Sequence, residues 1–158
     1  MTIAVRRATT ADAELVASLN ADVQALHAAA MPWRFKPPGS DTFGPKDAAA
    51  LLAKPDHLTF IAQVGGEPAG YASAEIVRRA ETPFHHPFVM LHLHHISVRP
   101  DHRRKGVGNA LLAAVRAAGE EQGITLLSAD VYTFNENART FFRRHGLAPY
   151  MERLWDRS

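Results

Sequence analysis

The chemistry-bearing residues of this chain crowd into one stretch, LHLHHISVRPDHRRKGVGNALL, from Leu91 to Leu112. Three histidines, His92, His94 and His95, precede a turn that carries Arg103, Arg104 and Lys105 together with Gly106 and Gly108. An imidazole with an unperturbed pKa of about 6.5 accepts a proton at neutral pH. A basic, glycine-bearing turn that opens a helix has a different use, which is to hold an anion. The first helical turn leaves N–H groups without intrahelical partners, the macrodipole adds positive charge there, and glycine lets the backbone approach a phosphate closely. Three basic side chains on the same turn suit a pyrophosphate or a ribose phosphate better than a single carboxylate. A polyphosphorylated cofactor is the expected ligand.

The elements that must position these groups follow from periodicity. Leu91, Leu93, Ile96 and Val98 read as a strand, Pro100 and Asp101 break it, and from about Lys105 the residues Val107, Leu111, Leu112 and Val115 recur at helical spacing. Alternation places His92 and His94 on one face of that strand and His95 on the other, so the first two can act on a single water or amine. The helix should end near Gly123, and Leu126 to Val131 then returns as a parallel strand after the crossover. Asn135 can cap a further helix whose apolar face is Ala138, Phe141 and Phe142, with Gly146 ending it. Leu147 to Leu154 is read as a last strand.

Upstream, Ile3 to Arg7 forms a short strand, and Thr9 or Thr10 caps a helix with the stripe Val16, Leu19, Val23 and Leu26. Three prolines make Met31 to Gly39 a loop, which also carries Trp33 and Phe35. Lys46 to Ala53 supports a second helix. Leu58 to Val64 and Ala69 to Val77 pair through Gly65-Gly66, a two-residue hairpin turn. Glu75 on the returning strand is either a solvent-facing residue or a second candidate base.

Composition narrows the class. With 158 residues the chain has room for one domain, 1–158, and a sizeable core. Its 18 Lys plus Arg nearly balance 16 Asp plus Glu, so the basic residues matter where they cluster, at Arg99 to Lys105 and Arg139 to Arg144. Local clusters without a basic stripe or stacking platforms argue for a small anionic ligand and against nucleic acid. The absence of cysteine excludes thiolate zinc sites, disulfides and cysteine nucleophiles. His85 and His86 add to the histidine count, but no zinc spacing such as H-E-x-x-H is present and no metal is expected. No apolar run approaches the roughly 20 residues of a membrane span, so no membrane partner is expected and a cytoplasmic location is the simplest reading.

The nucleotide P-loop and the dinucleotide G-x-G-x-x-G are both missing. What stands there instead, Val98-x-Pro100 followed by Arg103-x-x-Gly106-x-Gly108, resembles the acetyl-CoA signature of the GNAT superfamily, the acyl-CoA-dependent N-acyltransferases. Asn135 to Leu147, NENARTFFRRHGL, resembles the second motif of that family, Asn-x-x-Ala-x-x-Phe-Tyr-x-x-x-Gly-Phe. Ile3 and Val5-Arg6-Arg7-Ala8-Thr9 with Asp12-Ala13 look like its usual opening. His92-Leu93-His94 followed by Val98 is similar to the paired histidines of the arylalkylamine N-acetyltransferases.

The resemblance implies a mixed α/β fold, a twisted sheet of about six to seven strands with helices on both faces. It implies acetyl-CoA as cofactor, with Ser97 and Val98 beside the thioester and pantetheine arm and a backbone N–H near a strand bulge holding the carbonyl. The pyrophosphate falls to Arg103, Arg104, Lys105, Gly106, Val107, Gly108 and Asn109, while Asn135, Ala138 and Phe142 flank the cofactor. His27, Trp33 and Phe35 either border the acceptor, a small-molecule or peptide amine, or fold back to cap the core, and His92 and His94 are the base. The last strand of such folds is often used in homodimer contacts. Phe142 departs from the pattern, because it stands where a tyrosine ordinarily protonates the leaving thiolate. Tyr132, Tyr150 or water must then take that role, or the domain is a catalytically weak CoA-binding sensor.

Overall fold

A computed structural model describes residues 2–157. The strands β1 (Ile3–Arg7), β2 (His57–Val64), β3 (Glu67–Arg79), β4 (Phe88–Val98) and β5 (Leu127–Ala129) form one sheet in sequence order. The first three junctions are antiparallel and β4–β5 is parallel. The parallel junction follows from the crossover helix α3 (Val107–Glu120), since a chain cannot return in the same direction without crossing the sheet. Hairpin β2–β3 turns on Gly65 and Gly66 with φ of +57° and +86°, a pair of values that matches the twist of the flanking strands.

Two cores sit on opposite faces of the sheet. On one, Val107, Leu111, Leu112 and Val115 of α3 pack with Leu91 and Leu93 of β4 and with Phe142 of α4 (Glu136–Arg144). Burying each of those aliphatic side chains contributes roughly 1.5–3 kcal/mol, which is why this stripe sets where α3 lies. On the other face, Val16 and Leu19 of α1 (Ala13–Ala30) and Ala48 of α2 (Pro45–Leu52) close over Ile61 and Tyr71. Among the described residues no helix is long and apolar enough to cross a membrane.

Several expectations are corrected. The sheet has five strands among the described residues, and residues 148–157 form no regular element where a last strand was expected. Pro149 has no N–H to give a ladder, and the tail is held through side chains instead: Trp155 stacks on Trp33 at 4.9 Å and the Arg157 guanidinium lies 4.0 Å from the Trp33 ring centre. Leu26, expected in the α1 stripe, is 45% exposed, because α2 covers only the first half of α1's apolar face. The helix α3 begins at Val107 rather than Lys105, and β5 is limited to three residues.

Candidate active site

The site begins with a bulge. In the β3–β4 ladder Ala74 pairs with Leu93 and Ser73 with His95, so His94 is one residue too many on β4. A single extra residue reverses the alternation beyond it. Leu91, Leu93, Ile96 and Val98 therefore all face the α3 core, and His95 turns to the same side as His92, against the expectation that it would lie opposite. The 2-3-2 spacing of those four apolar residues is a sequence signal for the bulge, since an unbroken strand would space them by two throughout.

The three histidines are held by different partners. Nε2 of His94 lies 2.7 Å from Oε2 of Glu75, and the His94 ring meets the His92 ring edge-on at 4.8 Å. His57 of β2 stacks parallel to His94 at 5.8 Å, with its Nε2 3.8 Å from the same Glu75 oxygen. With Glu75 accepting from Nε2–H, Nδ1 of His94 becomes the nitrogen that can take a proton. Nδ1 of His92 lies 2.8 Å from Ser128 Oγ, whose own hydrogen is directed at Met90 Sδ, 3.5 Å away. On the other side of the ring, Nε2 of His92 lies 3.7 Å from the Asp130 carboxylate.

Electrostatics separate these groups. The hydrogen bond from His94 holds the Glu75 carboxyl below its ordinary range. Burial, and then the neighbouring His94, pushes His92 below the usual histidine value, so it is neutral and ready to accept a proton at pH 7. Burial likewise lowers His57. The largest of these effects falls on His95, which burial, helped by His94 and His27, lowers to about 4.

The basic, glycine-bearing turn lies at the end of the same strand. After the 3-10 turn Pro100–His102, Arg104 and Gly106 both take left-handed backbone, with φ of +59° and +86°, and Gly106 directly precedes α3. Exposed residues 103–106 lead into a first turn where the N–H groups of Val107, Gly108 and Asn109 have no helical partner. Arg103 Nε donates to the Val98 carbonyl at 3.2 Å and Lys105 Nζ to that of Asp101 at 2.8 Å, so two of the basic side chains brace the turn. Gly108 has a packing reason besides close approach to a ligand. A Cβ there would sit 3.1 Å from Cε2 of Phe141, so α4 needs the glycine in order to lie against α3.

Beside the turn the sheet opens. Among the described residues β5 pairs with β4 only at Leu91, His92 and Leu93, which leaves residues 94–98 of β4, Ser97 and Val98 included, without a strand on that side. Asn135 caps α4, its Oδ1 accepting from Ala138 N–H at 3.2 Å. Ala138 packs against the α3 core and Phe142 is buried in it.

On the α1 side, His27 meets Phe35, Tyr132 and Phe134 at ring distances of 5.1, 5.4 and 5.5 Å. Trp33 stands apart from this group with Trp155 and Arg157. The Tyr132 hydroxyl accepts from Arg34 Nε at 3.1 Å, and Tyr150 is 78% exposed. Phe134, Ser128 and Asp130 escape a sequence reading because only the tertiary packing brings their segment beside β4 and α1, and Tyr132, a candidate acid in the sequence, joins the His27 aromatic group.

Comparison with known proteins agrees with this architecture. Residues 20–147 match the Acetyltransferase (GNAT) family. An uncharacterized N-acetyltransferase in the pepI 3' region of Lactobacillus delbrueckii subsp. lactis is 28% identical over 133 residues, covering 73% of this chain and 76% of that protein. A crystal structure of a point mutant of the BH1408 protein from Bacillus halodurans has a TM-score of 0.92 at 20% identity, covering 98% of this chain and 99% of that one. The ribosomal-protein-alanine N-acetyltransferase from Brucella melitensis biovar Abortus 2308 has a TM-score of 0.76 at 22% identity, covering 99% of this chain and all (100%) of that one.

Proposed function

Because the chain belongs to the GNAT acetyltransferase family, we propose that it moves an acetyl group from acetyl-CoA to a primary amine by direct attack, with His92 and His94 as the proton-accepting pair. One observation carries the reading. The unpaired edge of β4, the helix N-terminus that follows it and the histidine pair on its bulge are contiguous, so a carrier lying along that edge meets a phosphate site at one end and a base at the other.

The residues fit the carrier. The backbone of 103–109, with two left-handed positions, forms a concavity of N–H donors suited to a pyrophosphate. Along the pantetheine arm the outward-facing backbone groups of the unpaired edge of β4, around Ser97 and Val98, offer strand-like hydrogen bonds. Bound there, the cofactor supplies an acyl group activated as a thioester. The chain's own work is to bind the acceptor, strip its proton and exclude water. Neutral His92 takes the proton, or His94 takes it at Nδ1, held in that tautomer by Glu75. His27 and Phe35 are proposed to border the acceptor, with Trp33 at its outer rim. Phe142 brings no phenol, so water protonates the thiolate. We place the protein in the cytoplasm, acting on a small-molecule or peptide amine.

The test is calorimetric titration with acetyl-CoA, followed in the same sample by thiol release against an aromatic amine, a polyamine, an aminoglycoside, free amino acids and peptide N-termini. Binding with turnover supports the assignment and names the acceptor class. Binding without turnover across the panel supports the sensor reading instead, and absence of binding overturns both.

A further inference from the structure

The bulge brings a third histidine to the cleft, and a buried chain of hydrogen bonds dictates its form. Nδ2 of Asn20, on α1, donates to the Tyr71 hydroxyl at 2.8 Å, and that hydroxyl lies 3.0 Å from Nδ1 of His95. Asn20 and Tyr71 are 4% and 1% exposed, so water does not compete for these bonds. A phenol has one proton. The oxygen accepts from the Asn20 amide, and the buried phenolic proton has no acceptor within reach among the described residues except His95 Nδ1, so that nitrogen accepts. The remaining proton of the neutral ring is on Nε2. That nitrogen has no protein partner among the described residues and is not sealed from solvent. Its neighbours on the same side are His94 and His27, the bulge residue and the edge of the aromatic group.

We propose that His95 is a catalytic hydrogen-bond donor, locked by Asn20 and Tyr71 as the neutral Nε2–H tautomer and directed at the acyl oxygen of the bound thioester. This rests on the acetyl-transfer reading above. His95 differs from His92 and His94 in having no lone pair to offer the cleft, so it cannot be the base. It steadies instead the negative charge that grows on the acyl oxygen as the amine attacks. The C–N bond forms first and moves the carbonyl electron pair onto the acyl oxygen; as that pair returns to re-form the C=O bond, the C–S bond breaks, the sulfur leaves with the electron pair and is protonated by water, and the amine proton goes to the His92–His94 pair. His95 keeps its own proton throughout. The buried Asn20–Tyr71 pair serves this role because a neutral ring with its Nδ1 unclaimed populates both tautomers, and only one of them presents a donor.

The probe is acetyl-CoA labelled with ¹³C at the carbonyl, bound to wild type and to His95→Met, His95→Gln and Tyr71→Phe, with ¹⁵N spectra of the histidine rings recorded in parallel. In wild type the carbonyl resonance should move downfield on binding and the His95 ring should show the Nε2–H neutral pattern. His95→Met should lose the downfield shift and about a hundredfold in kcat. His95→Gln, which keeps an N–H donor near the same position, should retain most of the shift. Tyr71→Phe should leave the fold intact but mix the tautomers and give an intermediate shift. A carbonyl shift unchanged in His95→Met, or a His95 ring protonated at Nδ1 in the wild type, overturns the proposal while leaving the acetyltransferase reading in place. Failure of the labelled acetyl-CoA to bind wild type overturns the function on which the proposal rests, and the proposal with it.

Discussion

Across the β3–β4 ladder, Oε2 of Glu75 lies 2.7 Å from Nε2 of His94, the extra residue of the bulge. The carboxylate fixes the ring's tautomer and leaves Nδ1 as its basic nitrogen. Glu75→Gln keeps the shape, but its amide can satisfy either tautomer. The expected result is a fall in kcat of about tenfold near pH 7 with the affinity for acetyl-CoA unchanged. Equal loss of affinity would make Glu75 part of the binding surface.

Replacing His92 and His94 together should lower the rate most at neutral pH, where the acceptor is protonated, and least at high pH, where it is already neutral. Each general base is worth roughly 10²–10⁴ in rate. The rate–pH profiles of wild type and the double alanine variant measure this, and a parallel downward displacement at all pH values would assign the pair to packing.

His95 makes the fold sensitive to mild acid. Its folded value of about 4 lies below the ordinary 6.5, so the unfolded chain takes up a proton first as pH falls. The neutral folded ring therefore carries full stability above pH 6.5, which is lost progressively between 6.5 and about 4. The groups that face it are the Tyr71 hydroxyl, His94 and His27. The loss amounts to about 3 kcal/mol by proton linkage. Urea unfolding at pH 7.5 and at pH 4.5 should show it, and His95→Gln should flatten the difference.

The anion turn can be probed without disturbing helix packing. Asn109 is exposed on the first turn of α3, where a carboxylate agrees with the helix dipole but repels a phosphate. Asn109→Glu should keep or raise Tm while weakening CoA binding at least tenfold. Gly108→Val is the contrasting case. Its side chain drives into the Phe141 ring and should cost about 1–3 kcal/mol of stability, as overpacked sites do. Calorimetry of binding and thermal melts of the two variants separate phosphate recognition from packing.

Much of this was readable in the chain. The Leu91–Val98 strand, the break at Pro100 and the α3 stripe at Val107, Leu111, Leu112 and Val115 all emerged, because periodicity reports local geometry directly. The Gly65-Gly66 hairpin and the Asn135 cap were legible for a similar reason, since each depends on one or two neighbouring residues. The last strand was misread, because alternation in Leu147 to Leu154 says nothing about whether a partner strand is available, and side-chain stacking on Trp33 holds the tail instead.

What the sequence by itself determined is therefore the basic, glycine-bearing turn, its strand and helix, and the presence of histidines beside them, all properties of residues close together along the chain. Tertiary structure alone decided which way those histidines face and who holds them. One bulge residue reversed His95, residues 51 and 24 positions apart met at its ring through Tyr71, and Glu75 reached His94 across a ladder. Facing depends on register, and register is settled by the packing of the whole sheet against its two cores.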